Sequence, residues 1–238
     1  MRFLVTRPQP DCKRSADKLR AAGHIADEAP LLEFKVMPPE PLDLSGVSAL
    51  AFSSRRAVSV LRGHPQLADL LGLPVFTVGD ATAEACRQVG FQDVRSAGGD
   101  FAALGALILR EHAGLGPGAV FYPAAQDRAG DLEALLKDGG LACRTRVVYR
   151  MEPVEKLPAA VVTALTRAAY DGVLVYSRRT AETLLFLLKS SGLDAVVPGL
   201  KVYAISSQAG EPLSDIMRVR VADAPCEAAL LDLVLAEC

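Results

Sequence analysis

Short β-branched runs that end in polar turns alternate along this chain with stretches whose apolar residues recur at three and four positions. Residues 3–6 read as a strand, and Cys12, Ala16 and Leu19 then fall on one helix face that stops at Gly23. The same sequence of signals returns downstream. Residues 119–122 predict a strand, Ala129, Leu132, Leu135 and Leu136 a helical stripe ended by Gly139 and Gly140, and residues 147–149 a further strand. This alternation predicts the α/β class, with mostly parallel sheets flanked by helices.

The chain also repeats itself. SALAFSSRRAVSVL at 48–61 parallels DGVLVYSRRTAETLL at 171–185, which aligns Ser54, Arg55 and Arg56 with Ser177, Arg178 and Arg179. PVFTVGDATAEA at 74–85 parallels KVYAISSQAGEP at 201–212, each followed by a helical run, FAALGALILREH or EAALLDLVLAEC. RFLVTRP at 2–8 parallels AVFYPAA at 119–125. Two α/β lobes are therefore expected, from repeats of about 1–113 and 117–238 meeting at Gly114, Gly116, Pro117 and Gly118.

Composition narrows the function. Half of the 238 residues are hydrophobic, enough to bury a core and too many for a disordered chain. With 26 Lys and Arg against 28 Asp and Glu, the net charge of −2 argues against a surface built for nucleic acid or an anionic membrane. No apolar run approaches the ~18 residues of a membrane span, and MRFLVTRPQP lacks the apolar core of a signal peptide, so a cytoplasmic protein is expected. Five cysteines form no C-x-x-C pair. The three histidines, His24, His64 and His112, have no metal-ligand spacing to them or to each other, so neither disulfides nor a metal are expected. Cys12 and Cys86 sit on apolar helix faces and read as small buried hydrophobes. No P-loop, G-x-S-x-G or H-E-x-x-H motif occurs, and no cofactor is implied.

Ligands of parallel α/β sheets bind beyond the carboxyl ends of the strands, where loops enter helix N-termini. The polar turns there are Thr6 and Arg7, 53–56, 79–82, 123–128, 177–180 and 206–208. Free N–H groups and arginines make such turns receptive to carboxylates or phosphates. Ser54, Ser177, Asp80 and Asp100 also have the form of ordinary helix N-caps, and any one arginine pair reads equally as solvated charge. Recurrence of Ser-Arg-Arg in both repeats favours a shared ligand face, with inheritance from a duplication as the competing explanation.

L-V-T-R-P at 4–8, A-F-S-S at 51–54, V-G-D-A-T-A-E-A at 78–85 and V-V-Y-R at 147–150, in this order and spacing, resemble the uroporphyrinogen-III synthase family. The resemblance implies two lobes: 1–33 with 155–238, and 42–145, joined by linker strands at 34–41 and 146–154. It implies a lyase that closes hydroxymethylbilane, a linear tetrapyrrole with eight carboxylates, into uroporphyrinogen III. The hydroxyl of ring A leaves as water, and ring D attacks the resulting azafulvene and is inverted through a spiro intermediate. On this resemblance Tyr149 is the candidate catalytic acid. The substrate-binding candidates are Arg7, Ser53, Ser54, Arg55, Arg56, Thr82, Arg128, Ser177, Arg178, Arg179, Ser206 and Ser207. The six arginines are expected to concentrate positive charge where the substrate lies, between the lobes. The expected partner is the bilane, with the enzyme that produces it as a further candidate; no nucleic acid, no membrane and a monomeric state are expected. Arg55–Arg56 and Arg178–Arg179 replace the family's more usual small residue or Pro followed by Asn or Ser. A non-catalytic bilobed protein that binds a small anion is the alternative.

Overall fold

Eleven strands and ten helices appear among the described residues of a computed structural model, which are 1–237 except 112, 113, 115 and 129. Ala129 and His112, singled out above, and Cys238, one of the five cysteines, lie outside them. In chain order the elements are β1 (Arg2–Val5), α1 (Asp11–Ala21), β2 (Ile25–Glu28), β3 (Leu32–Val36), β4 (Val47–Phe52), α2 (Arg55–Arg62) and α3 (Leu67–Leu70). Then come β5 (Val75–Thr77), α4 (Asp80–Val89), β6 (Val94–Ser96), α5 (Phe101–Glu111), β7 (Ala119–Ala125), α6 (Leu132–Asp138) and β8 (Cys143–Pro153). The chain finishes with α7 (Ala159–Thr166), β9 (Gly172–Val175), α8 (Arg178–Ser190), β10 (Lys201–Ala204), α9 (Ser207–Gly210), β11 (Arg218–Val221) and α10 (Glu227–Ala236).

These elements form two compact units, Met1–Phe34 with Glu152–Cys238, and Lys35–Met151. The first contains a five-stranded sheet in the order β11-β10-β9-β1-β2, all of whose neighbours are parallel. The second is built on the order β3-β8-β7-β4-β5-β6, parallel from β8 to β6. β3 runs against β8: the Val154 N–H donates to the Leu31 carbonyl, and the Met37 N–H to the Val148 carbonyl. Beyond Val36 the strand ends, because Pro38, Pro39 and Pro41 offer no N–H to a ladder.

Strand orders β11-β10-β9-β1-β2 and β6-β5-β4-β7-β8 are the same arrangement twice, with β9 in the place of β4 and β1 in the place of β7. The duplication read from the sequence is therefore present, but the repeats are not the structural units. The first repeat gives β1 and β2 to one unit and β4, β5 and β6 to the other, and the second repeat does the converse. The glycine-rich junction at 114–118 consequently lies inside a unit, between α5 and β7. The two copies also differ at one helix. α4 runs for ten residues, whereas its counterpart α9 has four and gives way at Glu211–Leu213 to a 3-10 turn containing Pro212, which cannot donate a helical bond.

Both faces of the first sheet are covered at its centre, so β1, β9 and β10 are buried almost throughout, while the edge strands β2 and β11 carry charged residues. On β1, Leu4 joins Val173, Val202 and the α8 residues Leu184, Leu187 and Leu188 on one face; Phe3 and Val5 join Leu174, Tyr203 and α10 residues Leu230 and Val234 on the other. Each of these leucines is fully buried and contributes about 1.5–3 kcal/mol relative to an exposed position. Gly172 opens β9 because a Cβ there would stand 2.4 Å from Cε2 of Tyr203. In the second sheet Ala49, Ala51, Phe76, Val120 and Tyr122 pack under Leu104 and Ile108 of α5 and Leu132 and Leu136 of α6.

Candidate functional site

In the second unit β4 and β7 end beside β8, which runs on to Pro153, and a hydroxyl cluster forms there. β4 is buried through Phe52, and Ser53 and Ser54 are the first residues to leave it. Ser54 is extended (φ −151°, ψ 135°) and its Oγ accepts the Arg56 N–H at 3.1 Å, capping α2. The hydroxyl of Tyr149, a β8 residue only 5% exposed, donates to the same Oγ at 3.1 Å. One residue earlier, Ser53 Oγ lies 2.6 Å from the hydroxyl of Tyr122 on β7. Two consecutive serines are thus backed by two tyrosines from the next two strands. Burial pushes the Tyr122 phenol above its usual pKa, while the Ser53 bond and the charge of Arg128 pull it back, so the phenol stays protonated at neutral pH.

Around this cluster the structure brings several of the expected residues. Arg55, exposed, and Arg56, half-buried, open α2. Arg128 lies beyond β7, exposed, with Nη1 donating to the Ala125 carbonyl at 3.3 Å. Among the described residues no carboxylate pairs with Arg55 or Arg128. Thr82 is different: it is 8% exposed in the first turn of α4, its N–H on the Gly79 carbonyl at 3.0 Å. Gly79 is the N-cap of that helix, and Asp80, which has the form of a cap, is already its first residue. Asp100 does cap, its Oδ1 accepting the Ala103 N–H at 2.9 Å.

The first unit holds the remaining candidates in the equivalent turns. Ser177 caps α8, accepting the Thr180 N–H at 3.2 Å, with its Oγ 2.8 Å from Thr180 Oγ1. Ser206 caps α9 through the Ala209 N–H at 3.2 Å, and Ser207 follows it, exposed. Arg179 is half-buried. Two arginines depart from the expectation of charge held open for a ligand. Arg178 is paired with Glu182 at 2.9 Å and with Glu211. Arg7 meets Glu227 at 3.0 Å and Asp11 at 3.4 Å, and its guanidinium stacks 4.5 Å over the ring of Tyr176. In each case one partner lies four residues on, Asp11 or Glu182, and the other comes from farther along the chain, Glu227 or Glu211. Burial pushes the Tyr176 phenol up to about 12.

Sequence reasoning missed Tyr122 altogether, since a tyrosine inside an apolar strand has the signature of a core residue. The only signal that could have raised it is its place on β7, the strand beside β4, just beyond which Ser53 lies. Cys12 and Cys86 are fully buried, and burial pushes each thiol up to about 12, so neither is a nucleophile at neutral pH. No group of three or more metal-ligating side chains occurs among the described residues, and none of their helices is long and apolar enough to cross a membrane. What the cluster offers is neutral hydroxyl donors beside the guanidinium groups of Arg55 and Arg128, a chemistry suited to carboxylates and to an oxygen leaving group.

Comparison with known proteins places this geometry in a family. Among curated proteins nothing matches the sequence. In structure the chain is similar to uroporphyrinogen-III synthetase from Helicobacter pylori 26695, at 21% identity and a TM-score of 0.69 with both chains wholly covered. It is also similar to a mutant uroporphyrinogen III synthase from the extremely thermophilic bacterium Thermus thermophilus, at 16% identity and a TM-score of 0.60, covering 100% of this chain and 98% of that one. These likenesses establish the α/β fold. The family model described as HEM4, Uroporphyrinogen-III synthase HemD, matches residues 13–232, nearly the full length, and on that match the chain belongs to the uroporphyrinogen-III synthase family.

Proposed function

We propose that this chain closes hydroxymethylbilane into uroporphyrinogen III as a lyase, expelling water from ring A and inverting ring D. The observation that carries the reading is the family match over residues 13–232. The hydroxyl cluster supports it chemically. Tyr149 donates to Ser54 Oγ, which also takes the Arg56 N–H, so the Ser54 proton is left for an outside acceptor. In this reading the acceptor is the departing ring A oxygen: its C–O bond breaks with the electron pair on oxygen, Ser54 passes it a proton and takes that of Tyr149. The pyrrole N–H proton released as the azafulvene forms restores the phenol. General acid help from one hydroxyl, about 10²- to 10⁴-fold, is smaller than that of holding a flexible substrate folded, which is worth up to roughly 7–11 kcal/mol.

Arg55, Arg56 and Arg128 with Ser53 bind substrate carboxylates near this cluster, and Ser177, Arg179, Ser206 and Ser207 bind others in the first unit. Arg7 and Arg178, already paired with carboxylates, contribute less. The same reading has the chain act as a cytoplasmic monomer, without cofactor, on a bilane supplied by the enzyme that makes it. The test is incubation with freshly generated hydroxymethylbilane and chromatographic separation of the product isomers. Type III product above the spontaneous type I background supports the reading. Binding without turnover overturns it in favour of a non-catalytic anion-binding protein.

A further inference from the structure

Tyr122 carries a consequence that rests on the substrate-binding reading of Ser53. Its side chain is 1% exposed, on β7 within the core under α5 and α6, and its hydroxyl lies 2.6 Å from Ser53 Oγ. Only one direction of that bond leaves nothing orphaned. If Ser53 donated, the phenol proton would be buried with no acceptor among the described residues, a cost that native interiors avoid. If Tyr122 donates, the proton of Ser53, a half-buried residue at the strand end, is free to meet an acceptor from outside. The neighbouring pair has the same polarity, since Tyr149 donates to Ser54. The charge of Arg128 favours the same site, pulling the Tyr122 phenol back toward the acidity that burial removes and so strengthening it as a donor.

We propose that Tyr122 is a positioning residue for the cyclisation: buried behind Ser53, it donates to the serine oxygen and thereby orients the serine proton toward a carboxylate of the substrate. Tyr122 does not touch the substrate. It fixes which way a flexible hydroxyl points, so that the ligand meets a donor already aligned and does not bear the cost of aligning it.

The test is a mutant cycle of Y122F, S53A and the double variant, each assayed for KM and kcat with hydroxymethylbilane and for melting temperature. Tyr122→Phe keeps the ring that packs the core and removes only the donor. Expected are a rise in KM of about fivefold for each single variant, the worth of one hydrogen bond, with kcat little changed. The double variant should show the same rise of about fivefold, not about twenty-fivefold, because both changes delete one contact. A tyrosine that merely packs would change the melting temperature and leave KM alone, or multiply with S53A; either result overturns the proposal. If S53A raises KM and Y122F does not, the assignment of Tyr122 fails and that of Ser53 stands. If S53A leaves KM unchanged, Ser53 does not meet substrate, and both readings fail together.

Discussion

Replacing Tyr149 by Phe separates a proton donor from a packing residue, because the two roles predict effects of different size. The change deletes one hydroxyl and leaves a ring that is 5% exposed in place on β8. The bond lost is that to Ser54 at 3.1 Å, and Ser54 keeps the Arg56 N–H at 3.1 Å, so α2 remains capped. A neutral, partly buried hydrogen bond of this kind is worth about 1 kcal/mol net. For a chain of this length that lowers the melting temperature by about 2–4 °C. If the same hydroxyl supplies the proton that leaves with the ring A oxygen, kcat falls by about 10²- to 10⁴-fold, since general acid help has that size. That is about 3–5 kcal/mol at the barrier, several times the loss in the fold. The assay follows hydroxymethylbilane consumption and the type III fraction beside a melting curve; because spontaneous closure to type I continues, the type III fraction should drop along with the rate. A variant whose kcat stays within about twofold of the parent with an unchanged isomer ratio, while its melting temperature falls as expected, refutes the relay and leaves Tyr149 as support for a helix cap.

Arg55→Ala should raise KM for the bilane more than Arg178→Ala does, and the excess should shrink with added salt, because Arg178 already has two carboxylate partners and Arg55 has none among the described residues; equal effects would show that pairing does not screen Arg178. Gly172→Ala should destabilise the chain by about 1–3 kcal/mol, read from denaturant unfolding, since its Cβ would overlap the buried ring of Tyr203; an unchanged midpoint would mean the ring moves freely. Glu227 is held below the usual carboxylate pKa of 4.5: burial opposes ionisation, but Lys18, Ser15 and Arg7 outweigh it. Such a group stabilises the fold above its unfolded pKa and loses that contribution as pH falls through the lower folded value. Glu227→Gln should therefore lower the melting temperature at pH 7 by an amount that closes as the pH falls through the lowered folded-state value, whereas a deficit independent of pH would assign the residue a role of shape alone. Exhaustive dialysis against a chelator should leave the activity unchanged, and loss that added metal restores would contradict a reaction run by side chains alone.

What the sequence by itself determined is local or periodic. Cys12, Ala16 and Leu19 at helical spacing, with Gly23 beyond them at φ +88°, sufficed for α1, and the unbroken apolar run of β9 for a strand buried on both faces. The Ser-Arg-Arg turns were legible because a strand end followed by a capping serine is a pattern of adjacent residues. The ordered motifs from Leu4 to Arg150 sufficed for the family. What only the tertiary structure decided is which distant residues meet. Ser53 and Tyr122 are 69 positions apart and Ser54 and Tyr149 95, so nothing near either serine announces its tyrosine. Arg7 has a local partner in Asp11, four residues on, but its shorter contact is with Glu227, which comes from α10, 220 residues away. The exchange of β1 and β2 against β7 and β8 between the units was implied by the family resemblance and not by the repeats themselves, since two nearly equivalent repeats have the same local pattern whichever unit each half joins. Periodicity encodes what an element is and which of its faces is apolar; the partner is chosen by packing across the whole chain, where burial, charge and hydrogen bonding are settled together.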